Sequence, residues 1–520
     1  MNDTGINALE EIVIGGGGSL VQRTEALRRE AAQRLNPGHR VQMGQFLTPR
    51  PVAAFMAGMF NCTKPFVRIL DPGAGTGALS AALVLAMCQR SRRPSTIALT
   101  AYEIDPVLIG YLRETLNHCR SACEQKGVSF HGNLVAQDFL EAGANAFAGG
   151  LFATGATEHY DCAILNPPYR KIRTESRERR LLRSIGLETT NMYSGFVAVS
   201  ARLLAPQGEL VAITPRSFCN GPYFEPFRRY FLREMRFRRV HVFDTRNSTF
   251  ADDKVLQENV VFHAVKTVET RRVVVSASLR PGEPGVRRRT IKHEELVRPH
   301  DRHAFIHIVP DRDGEYVRRR VGCLGATLSD LGLNVSTGRV VDFRAKEWLR
   351  ANPGPRTVPL VHPCHLRAGF VEWPNGKRRK PNALAICPGA EALLVPQGYY
   401  VLTKRFSAKE ERRRVVAAVY DPTRLVATQV GFENHLNYYH AQRSGLPVTI
   451  AKGLAAYLNS TLVDAYFRQF SGHTQVNACD LRSMHYPLRS KLVALGRRIG
   501  NSFPPQRVLD NLVERVLFGA

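Results

Sequence analysis

Short apolar runs closed by turn residues recur through the first half of the chain, and stretches with helical spacing separate them. Residues 66–70 read as a buried strand and 78–88 as a helix rich in small residues. The strand pattern returns at 97–102, 128–135, 160–165 and 210–214. Helices are expected over 52–60 and from Asn191 to about 204, and two late strands over 237–243 and 258–265. Strands alternating with helices predict an α/β fold with a mostly parallel, doubly wound sheet, closed by that late strand pair. From about residue 270 the alternation breaks down, and short strands between Pro/Gly turns predict an α+β domain. Residues 454–470 within it read as one amphipathic helix. The organisation expected is an extension over 1–40, an α/β domain over 41–268 and an α+β domain over 269–520.

Charge changes this picture. The 520 residues carry a formal charge of +27 and a pI near 10.1, which points to a polyanionic partner, nucleic acid first. Arg271-Arg272, Arg287 to Arg289, Arg318 to Arg320 and Lys377 to Lys380 spread that charge along the second half. Cysteine changes little: ten thiols without a CxxC pair indicate neither a disulfide framework nor a metal centre. They fit a reducing cytoplasm, and no run of about 18 apolar residues suggests a membrane span.

Candidate chemistry lies at strand ends. Asp71-Pro72-Gly73-Ala74-Gly75-Thr76-Gly77 makes a glycine turn between strand and helix, where a ligand can approach the backbone closely. Glu103-Ile104-Asp105-Pro106 ends the next strand, and an acidic residue there suits the ribose hydroxyls of NAD or of S-adenosylmethionine. Asp138-Phe139-Leu140 follows the third strand; Asp138 suits either an adenine amino group or a helix N-cap. Thr48, in Gly44-Gln45-Phe46-Leu47-Thr48-Pro49, suits a helix cap or a carboxylate ligand. Asn166-Pro167-Pro168-Tyr169 closes the fourth strand and reads either as a Pro-rich turn with a packed Tyr or as a stiff loop whose planar amide, free carbonyls and aromatic face suit a planar substrate bearing an amino group. The basic stretch 170–183 reads as a solvated face or as a phosphate-clamping loop. The run Glu433 to His440 reads as a packed amphipathic strand or as a base-reading surface.

This order of motifs, with Phe250 after them, resembles the γ-type N6-adenine DNA methyltransferases of restriction–modification systems. The phrases 403–407 and 471–482 are similar to the stand-alone modification enzymes of the PstI/BsuBI kind, and the likeness covers most of residues 40–490. The Gly/Ala-rich segment 141–158 departs from it.

The resemblance implies a Rossmann-like methyltransferase domain with S-adenosylmethionine as methyl donor and a C-terminal target-recognition domain. It implies that Thr48 holds the methionine carboxylate, that Asp71, Gly73, Gly75 and Gly77 hold the methionine end, that Glu103 and Ile104 hold the ribose, and that Asp138 and Phe139 hold the adenine. Asn166 and Pro167 would accept the two N6 hydrogens, Pro168 would stiffen the loop, and Tyr169 and Phe250 would stack on a flipped adenine. Lys404, Arg405, His473, Gln475 and Asn477 would contact double-stranded DNA. The implied enzyme is a monomer, free of metal and membrane, in the bacterial cytoplasm at the nucleoid, paired with a restriction endonuclease.

Methylation of RNA adenine is the nearest rival. Protein N5-glutamine methyltransferases share Asn-Pro-Pro-Tyr but are shorter, and N4-cytosine enzymes favour Ser at the first motif position. An NAD-dependent oxidoreductase leaves Asn-Pro-Pro-Tyr and the basic half unexplained.

Overall fold

The computed structural model of the chain describes residues 13–14, 18–36, 38, 44–148, 159–243, 258–281, 285–374, 380–407, 410–425, 427–471 and 474–519. Phe250, His473 and the basic run 377–379 lie outside these residues, as do residues 149–158 of the Gly/Ala-rich segment. The chain divides into two compact units, Met1–Asp311 and Arg312–Ala520.

In the first unit a short antiparallel pair, Val13–Ile14 with Gly18–Ser19, precedes α1 (Leu20–Arg34), which is followed by α2 (Arg50–Ala57), β1 (Phe66–Pro72), α3 (Ala78–Cys88), β2 (Thr96–Tyr102), α4 (Pro106–Glu124), β3 (Ser129–Val135) and α5 (Phe139–Ala148). After these come β4 (Tyr160–Leu165), α6 (Arg177–Ser184), α7 (Met192–Leu203), β5 (Leu204–Pro215), α8 (Glu225–Glu234), β6 (Met235–Phe243), β7 (Asn259–Lys266), β8 (Val273–Ser278) and β9 (Arg287–Ile291). One sheet holds all nine strands in the order β9-β8-β6-β7-β5-β4-β1-β2-β3. β7 runs antiparallel to both neighbours and β9 is antiparallel to β8; the remaining pairs are parallel.

Parallel strands need both faces covered, and β4 shows how the sequence meets that need. All six of its residues are buried. Ala163 and Leu165 enter one apolar core, with α7 and α8, while Cys162 and Ile164 enter the other, with α2 and α3. Helix starts are specified locally as well: Pro106 opens α4, and Asp105 caps it by accepting from the amides of Val107 and Leu108 at 2.9 and 3.4 Å.

The chain reverses its direction of winding between β1 and β4, since β1 leads to β2 on one side and β4 leads to β5 on the other. Ligands of open α/β sheets bind in the crevice outside such a switch point. Both the glycine turn and Asn166-Pro167-Pro168-Tyr169 emerge there.

The second unit contains β10 (Asn334–Thr337), β11 (Leu349–Arg350), β12 (Thr357–Val361), β13 (Leu366–Arg367), β14 (Phe370–Val371), β15 (Ala383–Ala385), β16 (Leu394–Pro396), β17 (Tyr400–Lys404), β18 (Ala417–Tyr420), β19 (Gln429–Phe432) and β20 (Leu436–His440). They form a six-stranded sheet, β10-β20-β17-β18-β14-β13, and a five-stranded sheet, β11-β15-β12-β19-β16. Most pairs are antiparallel. Helices α9 (Arg312–Gly322), α10 (Val448–Leu458), α11 (Thr461–Phe470), α12 (Ala478–Arg482), α13 (Arg489–Arg497) and α14 (Gln506–Phe518) complete the unit.

Four expectations change. The units part at 311/312 and not at 268/269, because β8 and β9 extend the first sheet past the last predicted strand. Thr48 does not cap α2; Pro49 is the N-cap residue and supplies no side-chain bond. Residues 454–470 span two helices. Asn459 bonds sideways to both backbone groups of Ala417, and Ser460 restarts the helix by accepting from the Val463 amide at 3.3 Å. The basic stretch after Tyr169 is neither a bare solvated face nor a loop throughout: α6 lies within it, and Arg170–Glu178, Arg179–Glu188 and Arg183–Glu188 are ion pairs. Among the described residues no helix is long and apolar enough to cross a membrane.

Candidate functional site

A cleft of about 770 Å³ opens at the carboxyl ends of β1, β2 and β4. Its floor is the glycine turn. Gly73 and Gly75 take φ of +73° and +59°, a region that residues with a Cβ rarely adopt. A Cβ on Gly73 would lie 3.4 Å from Phe196, and one on Gly75 would lie 3.4 Å from Leu47, so both glycines keep the floor low. Gly77 lies deeper. A Cβ there would meet Thr115 at 2.8 Å and Leu112 at 2.9 Å, so its role is to let α3 pack against α4.

Asp71 also sits beneath the floor and does not line the cleft. It is fully buried, with Oδ2 accepting from the Ser80 hydroxyl at 2.6 Å and Oδ1 without a partner. Burial pushes its carboxyl up to about 7. Glu103 lines the cleft with 5% of its surface exposed. Its Oε1 accepts from the amides of Ile104 and Asp105 at 2.8 and 2.9 Å, and its Oε2 accepts from the Gly75 amide at 2.8 Å. Burial raises its pKa against those three bonds. A carboxylate has about four acceptor positions, so one remains, on Oε2. The half-exposed Ile104 stands at the cleft edge.

Asp138 reaches the same cleft while accepting from the Glu141 amide at 3.1 Å, so its capping and cleft-lining positions coexist. Phe139 meets Tyr102 edge-on at 5.3 Å and Phe196 at 5.2 Å, making an aromatic wall.

Opposite lies the Asn166 loop, built against residues 44–48. The Tyr169 amide donates to the Gly44 carbonyl at 3.0 Å. Gly44 has φ of +65°, and a Cβ on it would come within 2.9 Å of the Tyr169 backbone. Only glycine permits this contact. The Asn166 amide nitrogen donates to the Phe46 carbonyl at 2.8 Å and to Thr48 Oγ1 at 3.0 Å. A carbonyl cannot donate, so the amide orientation is forced. Its Oδ1 is then left buried without a partner at the cleft wall. Gln45 Oε1, on the same wall, is buried and unpartnered too. Buried carbonyl oxygens without donors are rare, and two in one cleft suit a ligand that brings N–H groups.

Pro167 is buried and Pro168 lines the cleft. The Tyr169 ring is half-buried, 5.3 Å from Phe46 and edge-on to Tyr193 at 6.2 Å, with its hydroxyl donating to the Ile213 carbonyl at 3.4 Å. Burial holds that hydroxyl well above the usual tyrosine range. Gln45, Gln137, Arg170, Met192 and Phe196 join the cleft as well. Only Gln45 lay inside a recognised motif; Phe196 reads in sequence as one more apolar position of a buried helix.

In the second unit, two phrases far apart in sequence meet. The Val476 amide donates to the Arg405 carbonyl at 2.7 Å, the Ser407 amide donates to the Thr474 carbonyl at 3.0 Å, and Phe406 bridges to Gln475. Lys404 ends β17, and half-exposed Phe406 packs on His435 at 5.0 Å. Asn477 is the N-cap residue of α12, paired with Asp480 in a capping box. The run from Glu433 to His440 is mostly a packed strand: Asn437, Tyr438 and Tyr439 are buried, while half of the His435 side chain is exposed.

Comparison with known proteins accords with this geometry. The Eco57I restriction-modification methylase family matches residues 105–250. The type II methyltransferase M.PstI of Providencia stuartii is 40% identical over 95% of this chain and 96% of its own length. The type II methyltransferase M.BsuBI of Bacillus subtilis is 41% identical over 88% of this chain and 90% of its own. Among solved structures, the type IIL restriction-modification enzyme MmeI in complex with DNA has the same fold at a TM-score of 0.52 and 10% identity, covering 96% of this chain and 75% of that one.

Proposed function

Because this chain belongs to the type II methyltransferases of restriction–modification systems, we propose that it transfers a methyl group from S-adenosylmethionine to N6 of an adenine flipped out of a short duplex DNA site. The observation that carries the reading is the forced orientation of Asn166, which leaves Oδ1 as a buried acceptor without a donor.

The cleft residues fit the donor. Gly73 and Gly75 leave the room that a side chain would fill, and Phe139 with Tyr102 and Phe196 offers a flat apolar wall for its adenine ring. Asp138 stands beside that wall to accept from the ring's amino group. Glu103 has one acceptor position to spare, so it takes one ribose hydroxyl rather than both. Thr48 is already bonded to Asn166, so its first effect is to aim that amide; its hydroxyl proton remains available to a carboxylate. Asp71 holds Ser80 at the start of α3, and Gly77 lets α3 pack against α4, so both act on the site through that helix. When bound, S-adenosylmethionine supplies an electrophilic methyl carbon on a sulfonium.

The protein's task is to prepare the amine. The N6 lone pair of adenine is delocalised into the ring and attacks poorly. Asn166 Oδ1 accepts one amino hydrogen and the Pro167 carbonyl accepts the other, which draws N6 toward tetrahedral geometry and localises the lone pair. No strong base is required before attack, because N6 becomes acidic only as the methyl arrives, and its surplus proton then passes to water. Positioning and fixed dipoles carry the rate. Pro168 and the Gly44 contact hold the loop in one path, and Tyr169 presents its ring to the extruded base. Lys404, Arg405 and Gln475, with His435 beside them, form the candidate DNA-contacting surface of the second unit.

The test is transfer of labelled methyl to duplex DNA, RNA and protein, followed by digestion of the nucleic acid to nucleosides. Label in N6-methyldeoxyadenosine from duplex DNA is expected. Label confined to RNA, to protein or to N4-methyldeoxycytidine would overturn the reading.

A further inference from the structure

Three side chains of the second unit converge without any part in methyl transfer. Asp342 lies on the loop after β10, His362 directly follows β12, and Glu433 directly follows β19. One ligand atom of each lies within 4.8 Å of the others, and His362 Nδ1 is 3.9 Å from Glu433 Oε2. The His362 and Glu433 side chains are each 1% exposed. Neither ring nitrogen of His362 makes a well-formed hydrogen bond, nor does Asp342 Oδ1; the ring's polar neighbours besides the carboxylates are the backbones of His365 and Pro381. An imidazole buried with both nitrogens unsatisfied beside two carboxylates is costly unless something binds there.

One oxygen of Asp342 and both oxygens of Glu433, including the Oε2 that faces His362, are held. Lys380 Nζ donates to Asp342 Oδ2 at 2.7 Å. The His435 amide donates to Glu433 Oε2 at 3.0 Å, and His435 Nδ1 bonds Glu433 Oε1. Contacts of this kind orient ligands around a metal.

We propose that Asp342, His362 and Glu433 bind one divalent transition-metal ion of the Zn²⁺ class. One imidazole with two carboxylates suits such a cation better than Mg²⁺ or Ca²⁺, which take oxygen ligands. Metal–ligand bonds of about 2.0–2.2 Å put tetrahedral ligands about 3.4 Å apart, so side-chain shifts of about 1 Å close the site. Three protein ligands leave a fourth position for water.

The ion would tie the ends of β12 and β19, in one sheet, to the loop that follows β10 of the other. Glu433 also holds His435, whose ring packs on Phe406 beside Arg405. The metal therefore braces the candidate DNA-contacting surface, contrary to the metal-free expectation from the sequence.

The test uses untagged full-length protein, stripped by chelator dialysis and titrated with Co²⁺ alone. One Co²⁺ per chain is expected, with visible d–d absorption, no thiolate charge-transfer band, displacement by Zn²⁺ and a raised Tm. His362→Gln and Glu433→Gln should each weaken Co²⁺ binding at least about 10-fold, whereas Cys364→Ser should not change it. If His362→Gln does not fold, Asp342→Asn and Glu433→Gln decide the matter. Absence of stoichiometric Co²⁺ in the wild type, a thiolate band, or unchanged affinity in the folded variants would overturn the assignment.

Discussion

In the first unit the chemistry-bearing side chains stand at the carboxyl ends of adjacent parallel strands, whereas in the second they stand on loops between short antiparallel strands. The first arrangement gathers Glu103, Asp138 and Asn166 around one cleft through a single topological switch, joined by Phe46 from the segment before α2, while Thr48 meets the site through its bond to Asn166. Polar atoms left unsatisfied there point at a ligand. The second arrangement spreads its candidates over a face on which Lys404 and Arg405 are half-exposed and Arg405 donates to the Asn434 carbonyl at 3.2 Å. Polar groups buried beneath that face mostly have structural partners: Asn437 donates to the Val476 carbonyl at 2.7 Å, and His365 Nε2 bonds Asn382 at 3.1 Å. Asp342 Oδ1 and the His362 ring, beside Glu433, break that pattern, which is why they draw attention. A cleft that performs chemistry needs fixed geometry, while a surface that contacts DNA needs reach and charge.

The largest effect expected of any single change is in the cleft. Asn166→Ala should lower the rate of methyl transfer by about 100- to 1000-fold, the scale of removing one positioned dipole from a transition state. Steady-state kinetics on a mapped duplex site would measure it. Gly44→Ala comes next: its Cβ meets the Tyr169 backbone at 2.9 Å, and displacing the loop by about 1 Å costs up to about 100-fold in rate. A lowered Tm should accompany the loss, since backbone cannot swing aside.

These two cases mark what was legible in the sequence. The α/β alternation, the glycine turn and Asn-Pro-Pro-Tyr were readable because strand period, turn residues and helix caps are local. What Gly44 is for was not readable, because the atoms that exclude a side chain belong to Tyr169, 125 positions away (169 − 44). Phe196 was hidden for a similar reason: on a helix buried nearly all round, periodicity does not distinguish a cleft-facing ring from a core-facing one. The two helices within 454–470 were merged because apolar spacing continues across Asn459 and Ser460, whose breaking contacts include Ala417. The late boundary was missed because β8 and β9 join the sheet without an intervening helix. In the second unit Asp342, His362 and Glu433 are 20 and 71 positions apart (362 − 342 and 433 − 362), a spacing that signals nothing until the sheets fold.

A smaller effect is expected on the candidate DNA-contacting face. Lys404→Ala should weaken DNA binding about equally for all sequences and reduce the slope of log K against log salt by about one. A salt titration of binding checks it, and a loss confined to one sequence would instead mark Lys404 as a base reader.

The smallest effect concerns pH. Asp71 has a folded pKa of about 7, raised above its usual 3.8 by burial. The folded state therefore holds a proton that the unfolded state releases, so this group lowers stability as pH rises from about 4 to about 7. Asp71→Asn removes that dependence. The Tm difference, variant minus wild type, should grow across this window and level off above it; a flat difference would mean that Asp71 ionises normally.

The central claim is that Asn166 Oδ1 activates the amine and does not merely hold DNA. The most direct measurement pairs single-turnover methyl transfer on the mapped duplex with the fluorescence rise of 2-aminopurine placed at the target position, in wild type and Asn166→Ala. The account predicts an undiminished fluorescence rise with a transfer rate at least about 100-fold lower. A transfer rate within about tenfold of wild type, or a fluorescence rise lost in step with the rate, would contradict it.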